Sequence, residues 1–297
     1  MGGTGCGPGF LKSESCAHPV GSDMVTAVNQ TLEPLSPCLV DIQSEVREAF
    51  GWSLKADLES AQALVEAASE LVASGVLENG VERLRELFSG DRDDRDDRGG
   101  LGEWGDRGDR GDRGDPGERP IAVLGAAVAV EDILALPEDC ILVAADGSVG
   151  VIPELPAAAR EAAWQNLVLV VSDADGGDAL QEAIDRRIPF ALHAHGDNTE
   201  EWALLLSKLE EDCELLLLTH QCPKPIGGMH NPGGFTDGDR AACLVSSLGV
   251  NSSRISLIGF RSDRIGRWTG ATDPILKMQK LQWMDEVLTR LATEGGR

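Results

Sequence analysis

Lysine is scarce in this 297-residue chain. Six lysines stand against twenty arginines, and the 26 basic residues face 50 acidic ones, for a net charge of −24. So negative a chain is excluded from non-specific binding to DNA or to an anionic membrane surface, and it repels itself in a way that salt would screen. The seven cysteines (6, 16, 38, 140, 213, 222 and 243) form no C-x-x-C pair, and their number is odd. That excludes a simple disulfide framework and a cysteine-rich zinc site, and it fits reduced thiols. No run approaches the ~18 consecutive apolar residues of a membrane span. The first residues lack the basic-then-apolar order of a signal peptide, so a soluble cytoplasmic protein is expected.

What is present gives an ordered plan. Acid-rich, lysine-poor composition resembles that of proteins from salt-loving archaea, and a high-salt cytoplasm is the expected setting. The length allows one large α/β domain or two modest ones. Residues 1–23 are rich in Gly, Ser and Pro; their Gly3-Thr4-Gly5-Cys6-Gly7 has no strand before it and no helix after it, so a disordered tail is expected. Residues 24–88 read as an N-terminal helical region. Leu58, Ala61, Val65, Ala68 and Val72 trace one helix face with Leu64 and Leu71 beside it, and Gly75 is a plausible stop. Val81, Leu84, Leu87 and Phe88 suit a further short helix. Residues 89–119 hold eleven acids and seven arginines in D-R-D-D-R and G-D-R repeats, a net of −4. Five G-x-y triplets cannot sustain a triple helix, so a solvated, disordered insertion is expected, and −20 belongs to the rest of the chain.

From residue 120 to 297 short apolar runs (121–124, 141–145, 167–171, 190–194, 215–218 and 255–258) alternate with helical stretches such as 179–184 and 200–209. A last amphipathic helix runs through Leu276, Leu281, Trp283, Met284, Val287 and Leu291. This alternation predicts a doubly wound, mostly parallel, Rossmann-like sheet, whose ligands sit beyond the carboxyl ends of the strands. Those ends read Asp146-Gly147-Ser148, then Ser172 to Gly176, then His193 to Asn198, then Thr219-His220-Gln221. Four of the five histidines (193, 195, 220 and 230) fall in this region.

In extended chain, residues two apart point the same way, so Asp173 and Asp175 would share a face, as would His193, His195 and Asp197. Close carboxylates repel unless a cation lies between them, and hard oxygen ligands suit Mg²⁺. Zinc would need a tighter His/Cys set. A turn after a strand remains the plain alternative for D-x-D-G. Residues 231–242, N-P-G-G-F-T-D-G-D-R-A-A, run from a glycine turn into a helical pattern. Gly233 and Gly234 would let backbone approach a ligand closely, Thr236 or Asp237 would cap the helix, and Asp239 would lie in its first turn. Arg240 adds a donor fork suited to phosphate or carboxylate.

H-A-H-G-D-N at 193–198 and N-P-G-G-F-T-D-G-D-R-A at 231–241, with A-D-G at 145–147 and S-D-A-D-G at 172–176, resemble the archaeal 6-hydroxymethyl-7,8-dihydropterin pyrophosphokinase family. The resemblance implies transfer of diphosphate from ATP to a reduced pterin, with release of AMP and Mg²⁺ as the metal. It places Mg²⁺ on Asp173 and Asp175, with Asp146 as a further ligand or a group supporting the ligands, and His195 and Asp197 at the pterin hydroxymethyl group, to position it or to take its proton. His193, Asn198, Gln221 and the loop of Gly233, Gly234, Phe235, Thr236, Asp237, Asp239 and Arg240 would contact the substrates, with Phe235 free to stack on the flat ring. The family's glycine-proline-serine turn is reduced here to Gly125 within G-A-A-V-A-V, which weakens phosphate cradling at that position. A thiamine pyrophosphokinase-like transferase, a metal-dependent phosphohydrolase and a non-catalytic binder are the alternatives. No nucleic-acid or membrane partner is expected, and a homo-oligomer is compatible with the sequence.

Overall fold

The computed structural model describes residues 1–2, 32–69, 71, 79–89, 119–209 and 215–295. The expected tail beyond its first two residues, Val72, Gly75 and nearly all of the 89–119 segment lie outside these. Among the described residues six strands form one sheet: β1 (Ile121–Leu124), β2 (Ile141–Ala145), β3 (Leu167–Ser172), β4 (Phe190–Ala194), β5 (Leu216–His220) and β6 (Ile255–Ile258). All neighbouring pairs are parallel, in the order β5-β4-β3-β2-β1-β6. The chain thus steps outward from β1 to β5, then crosses back to lay β6 against the other side of β1. That reversal creates a switch point between the carboxyl ends of β1 and β6.

The α-helices among the described residues are α1 (Cys38–Phe50), α2 (Leu54–Ala67), α3 (Gly80–Ser89), α4 (Val130–Leu134), α5 (Ala157–Asn166), α6 (Gln181–Asp185), α7 (Thr199–Leu209), α8 (Asp237–Ser247) and α9 (Pro274–Gly295). Strand alternation sorts the core into two faces. Ala122, Leu124, Leu142 and Ala144 face the layer with α2, α5 and α7, whereas Ile121, Val123, Ile141 and Val143 face α3 and α8. Strands covered on both faces read as continuous apolar runs, which is why their positions were readable, although β3 and β5 run one and two residues past their expected ends through the polar Ser172, Thr219 and His220. β6, at the edge, is only half-buried.

The N-terminal helices share the sheet's cores. Ala61, Leu64, Ala68 and Leu71 join the first face, Val81, Leu84 and Phe88 the second. Leu39, Ile42 and Val46 of α1 pack with Phe235, Cys243 and Val287 in a third cluster. Each such fully buried aliphatic side chain stabilises the fold by roughly 1.5–3 kcal/mol. One expectation shifts: the buried stripe of α2 is Asp57, Ser60, Ala61 and Leu64, and Leu58 and Val65 sit half-exposed at its shoulder. The stripe is displaced because the start of α2 packs on polar groups at the strand ends.

Candidate active site

The residue directly after each of the six strands, in turn Gly125, Asp146, Asp173, His195, Gln221 and Gly259, lines one cavity of ≈270 Å³. The sheet therefore gathers six separate sequence positions at a single rim. Asp146, Asp173 and Asp175 each offer a carboxylate oxygen within 4.8 Å of the others. The strand-alternation route to this convergence is corrected by the structure. The chain leaves β3 at Ser172 and turns, with Ala174 left-handed at φ 77° and the Asp175 amide donating to Asp173 Oδ1 at 3.4 Å. Asp146 is likewise left-handed, at φ 46°, and Ser172 Oγ donates to its Oδ1. A Cβ on Gly176 would lie 2.7 Å from Asp146 Oδ2, so only glycine lets the β3 loop lie this close.

The electrostatics of the cluster follow from crowding. Burial first, then Asp173, Asp237 and Asp175, push the Asp146 carboxyl well above its ordinary value. Burial and Asp173 raise Asp175 as well. Burial and Asp173 raise Asp237 to about 7. Burial also acts upward on Asp173, but the hydrogen bond and charge of His195 overcome it and hold that carboxyl low. Burial would lower His195, yet its bonds to Asp173 (Nε2 to Oδ2, 3.2 Å) and Asp197 (Nδ1 to Oδ1, 2.7 Å) raise it to about 9. Both ring nitrogens face carboxylate oxygens and donate to them when the ring is protonated.

Asn198 ties the β3 and β4 ends together. Its Nδ2 donates to the carbonyls of Asp173 and His193, both at 2.8 Å, and its Oδ1 accepts from the His195 amide. His193 is buried behind the rim, with Nδ1 3.1 Å from Thr219 Oγ1. The Thr219 hydroxyl donates to the Leu192 carbonyl, so His193 Nδ1 carries the proton. Gln221 lines the cavity and donates to Asp57 Oδ2 at 3.0 Å.

The loop before α8 divides. Phe235, Thr236 and Asp237 line the cavity, whereas Gly233, Gly234, Asp239 and Arg240 do not. The expected ligand approach at Gly233 and Gly234 is corrected. Both are left-handed (φ 89° and 85°), and added Cβ atoms would strike Leu39 and the Arg240 backbone at 2.7 and 2.6 Å. They serve close packing of chain on chain. Asp239, fully buried, accepts from the Phe235 and Thr236 amides and the Thr236 hydroxyl. Arg240 is bound beneath the loop to the Phe235 carbonyl (2.7 Å) and Asp237 (3.1 Å). Gly125 is wall rather than cradle: its amide donates to the Ile258 carbonyl at 2.7 Å.

Several lining groups went unread in the sequence. Asp57 pairs with Arg47 at 3.2 Å and accepts from the Gly196 amide at 2.9 Å, so α1 and α2 brace the β4 and β5 ends. A charged residue on the apolar stripe of α2 was the available signal. Trp52 stacks on Phe50 (centroids 4.6 Å) and lies 6.0 Å from Phe235, which makes one aromatic wall. Phe260 and Trp268 supply another beside Gly125, and Lys277, Lys280, Leu281 and Met284 of α9 complete the lining.

Two proteins are similar to part of the chain. The 6-hydroxymethyl-7,8-dihydropterin pyrophosphokinase of Pyrococcus furiosus is 36% identical over 138 residues, covering 43% of this chain and 54% of that protein. The protein of the same name from Methanothermobacter thermautotrophicus is 31% identical over 137 residues, covering 43% and 56%. The chain thus spans about half the length of the curated relatives it matches. No family model matches it.

Proposed function

We propose that this chain transfers diphosphate from ATP to the hydroxymethyl group of 6-hydroxymethyl-7,8-dihydropterin in an Mg²⁺-dependent reaction that releases AMP. The observation that carries this is the convergence of Asp146, Asp173 and Asp175 within 4.8 Å, at strand ends in a cavity with two aromatic walls. The names of the two partial relatives support the same substrate class. An all-oxygen donor set whose buried carboxylates repel one another fits a hard divalent cation. Mg²⁺ held there would neutralise the phosphate oxygens around the attacked β-phosphorus.

The chain's own groups supply position. The Phe235–Trp52 wall offers a flat ring a stacking surface. Asp197, 88% exposed at its side chain and next to His195, is placed to orient the hydroxymethyl group. His195, with both nitrogens bound to carboxylates, orients Asp173 and Asp197 rather than accepting a proton. Loose phosphoryl transfer asks little of a general base, so that arrangement is compatible with turnover.

The test is to incubate the full chain with the reduced pterin, ATP and Mg²⁺ in molar KCl and to follow AMP and pterin diphosphate. Phosphate release without acceptor would replace this reading with a phosphohydrolase. Tight ligand binding with no AMP would replace it with a binder.

A further inference from the structure

The helix α9 brings the cavity positive charge that no carboxylate among the described residues already holds in an ion pair. Six aspartates line the space: 57, 146, 173, 175, 197 and 237. A polyphosphate entering it needs cationic partners from the chain as well as a metal. Among the lining residues the basic groups are His195, Arg261, Lys277 and Lys280. His195 is held by two carboxylates. Arg261 is held in a two-pronged pair with Asp263, at 2.6 and 2.8 Å. That leaves the two lysines, which form no hydrogen bond or ion pair through their ammonium groups among the described residues.

Their placement is fixed by the helix. Lys277 and Lys280 are three residues apart, on one face of α9, with Leu281 and Met284 on the same stripe. Leu281, Met284 and Val287 are buried, so the stripe is anchored and the ammonium stems start from a fixed wall. Lys280 Nζ lies 5.2 Å from the ring centre of Trp52. Arginine outnumbers lysine twenty to six in the chain, yet the two cations on this wall that no carboxylate holds in an ion pair among the described residues are lysines. A compact ammonium on a flexible stem suits a phosphate group that must move during transfer.

We infer that Lys277 and Lys280 bind the β- and γ-phosphates of the nucleotide, so that α9 contributes the diphosphate-binding part of the site. This rests on the reading that ATP is the diphosphate donor. The plain alternative is that the lysines only offset the aspartates' charge in the ligand-free protein.

Calorimetric titration of the full chain and of Lys277→Met, Lys280→Met and the double variant tests this at one fixed KCl concentration, with Mg²⁺-ATP, AMP and Mg²⁺ alone. Each single substitution should weaken Mg²⁺-ATP by about tenfold, the size of a charged hydrogen bond, and the double by more. AMP, which lacks the β- and γ-phosphates, should bind all the variants as it binds the parent. Mg²⁺ alone should bind them as well or more tightly, since the carboxylates lose competing cations. Unchanged Mg²⁺-ATP affinity, or equal losses for ATP and AMP, would overturn the assignment. If the parent forms AMP from pterin and ATP while the variants bind Mg²⁺-ATP normally, the assignment falls and the reaction stands. If the parent forms no AMP but the selective loss of Mg²⁺-ATP is seen, the reaction reading falls and the assignment stands.

Discussion

Asp146→Asn is the sharpest probe of the acidic cluster. Asparagine keeps the size of aspartate, can still accept from Ser172 Oγ and tolerates the left-handed backbone at φ 46°. Only a charge is lost. Two full charges 4.8 Å apart repel by about 3.5 kcal/mol at an effective dielectric of ~20. His195 offsets part of the Asp173 charge, so the metal-free variant should gain on the order of 1–3 kcal/mol. The sign with pH follows from the raised Asp146 carboxyl. Its ionisation destabilises the fold, the penalty builds as pH climbs from the unfolded value of about 3.9 through the folded one, and it is absent in acid. The gain of the variant should therefore grow with pH. Turnover should fall by ~10²-fold or more, a barrier increase of about 2.7 kcal/mol, and added Mg²⁺ should restore part of it. Turnover against Mg²⁺ concentration and metal-free Tm against pH measure both arms. Near-normal turnover with a lowered Tm would refute the metal assignment and leave Asp146 as a turn residue.

Three other substitutions address the supports of the site. Gly234→Ala forces a Cβ to 2.6 Å from the Arg240 Cα at φ 85° and should cost roughly 2–5 kcal/mol in denaturant unfolding. Asp57→Ala strands the buried Arg47 and frees the Gly196 amide; unfolding should show a loss of about 3–5 kcal/mol, and turnover should fall with it. Burial and His230 lower His220 to about 4, and its Nδ1 accepts from the Cys222 amide, so it contributes stability that is complete above about pH 6.5 and is lost as pH falls towards 4. His220→Asn keeps the acceptor without titrating, so the difference from the parent should change by about 1.4 kcal/mol per pH unit in that window, and a flat difference would refute the burial argument. Taking the difference matters because Asp237 and Asp239, raised by burial to about 7 and 6, titrate with the opposite sign.

How much of this was legible depended on how each residue reaches the cavity. The strands were readable because apolar burial on both faces leaves continuous runs, and the residue after each run falls at the rim. That rule brings Asp146 and His195 together directly, whereas Asp173 and Gln221 lie one and two residues further on, because Ser172 and Thr219-His220 are polar but still belong to β3 and β5. It fails for Gly233 and Gly234, since a glycine pressed against chain and one pressed against ligand look alike in sequence. It fails for Asp239 and Arg240, whose polar groups turn inward to hold the Phe235 turn. Alternation also named the wrong cause for Asp173 and Asp175, which meet Asp146 through the left-handed Ala174. Phe260, Trp268, Lys277 and Lys280 arrive from the last strand's loop and from α9, where an amphipathic pattern says which face is apolar but not which polar neighbours border a cavity.

The surface and the site should answer to salt in opposite directions. Of the net −24, −20 lies outside residues 89–119, so repulsion acts across the rest of the chain. Its reach shrinks from about 10 Å at 0.1 M salt to about 3 Å at 1 M. The Arg47–Asp57 attraction is buried at 3.2 Å, where mobile ions do not intervene. Exposed pairs such as Arg267–Glu154 are weakened, but each is worth only about 0–1 kcal/mol. Tm should therefore climb steadily from about 0.1 M to about 2 M KCl. Lys277 and Lys280 face open cavity, so Mg²⁺-ATP affinity should fall over the same range. Tm and affinity measured on one salt series decide the matter. A Tm that stays flat or drops would show that the −20 is already balanced locally and does not strain the fold.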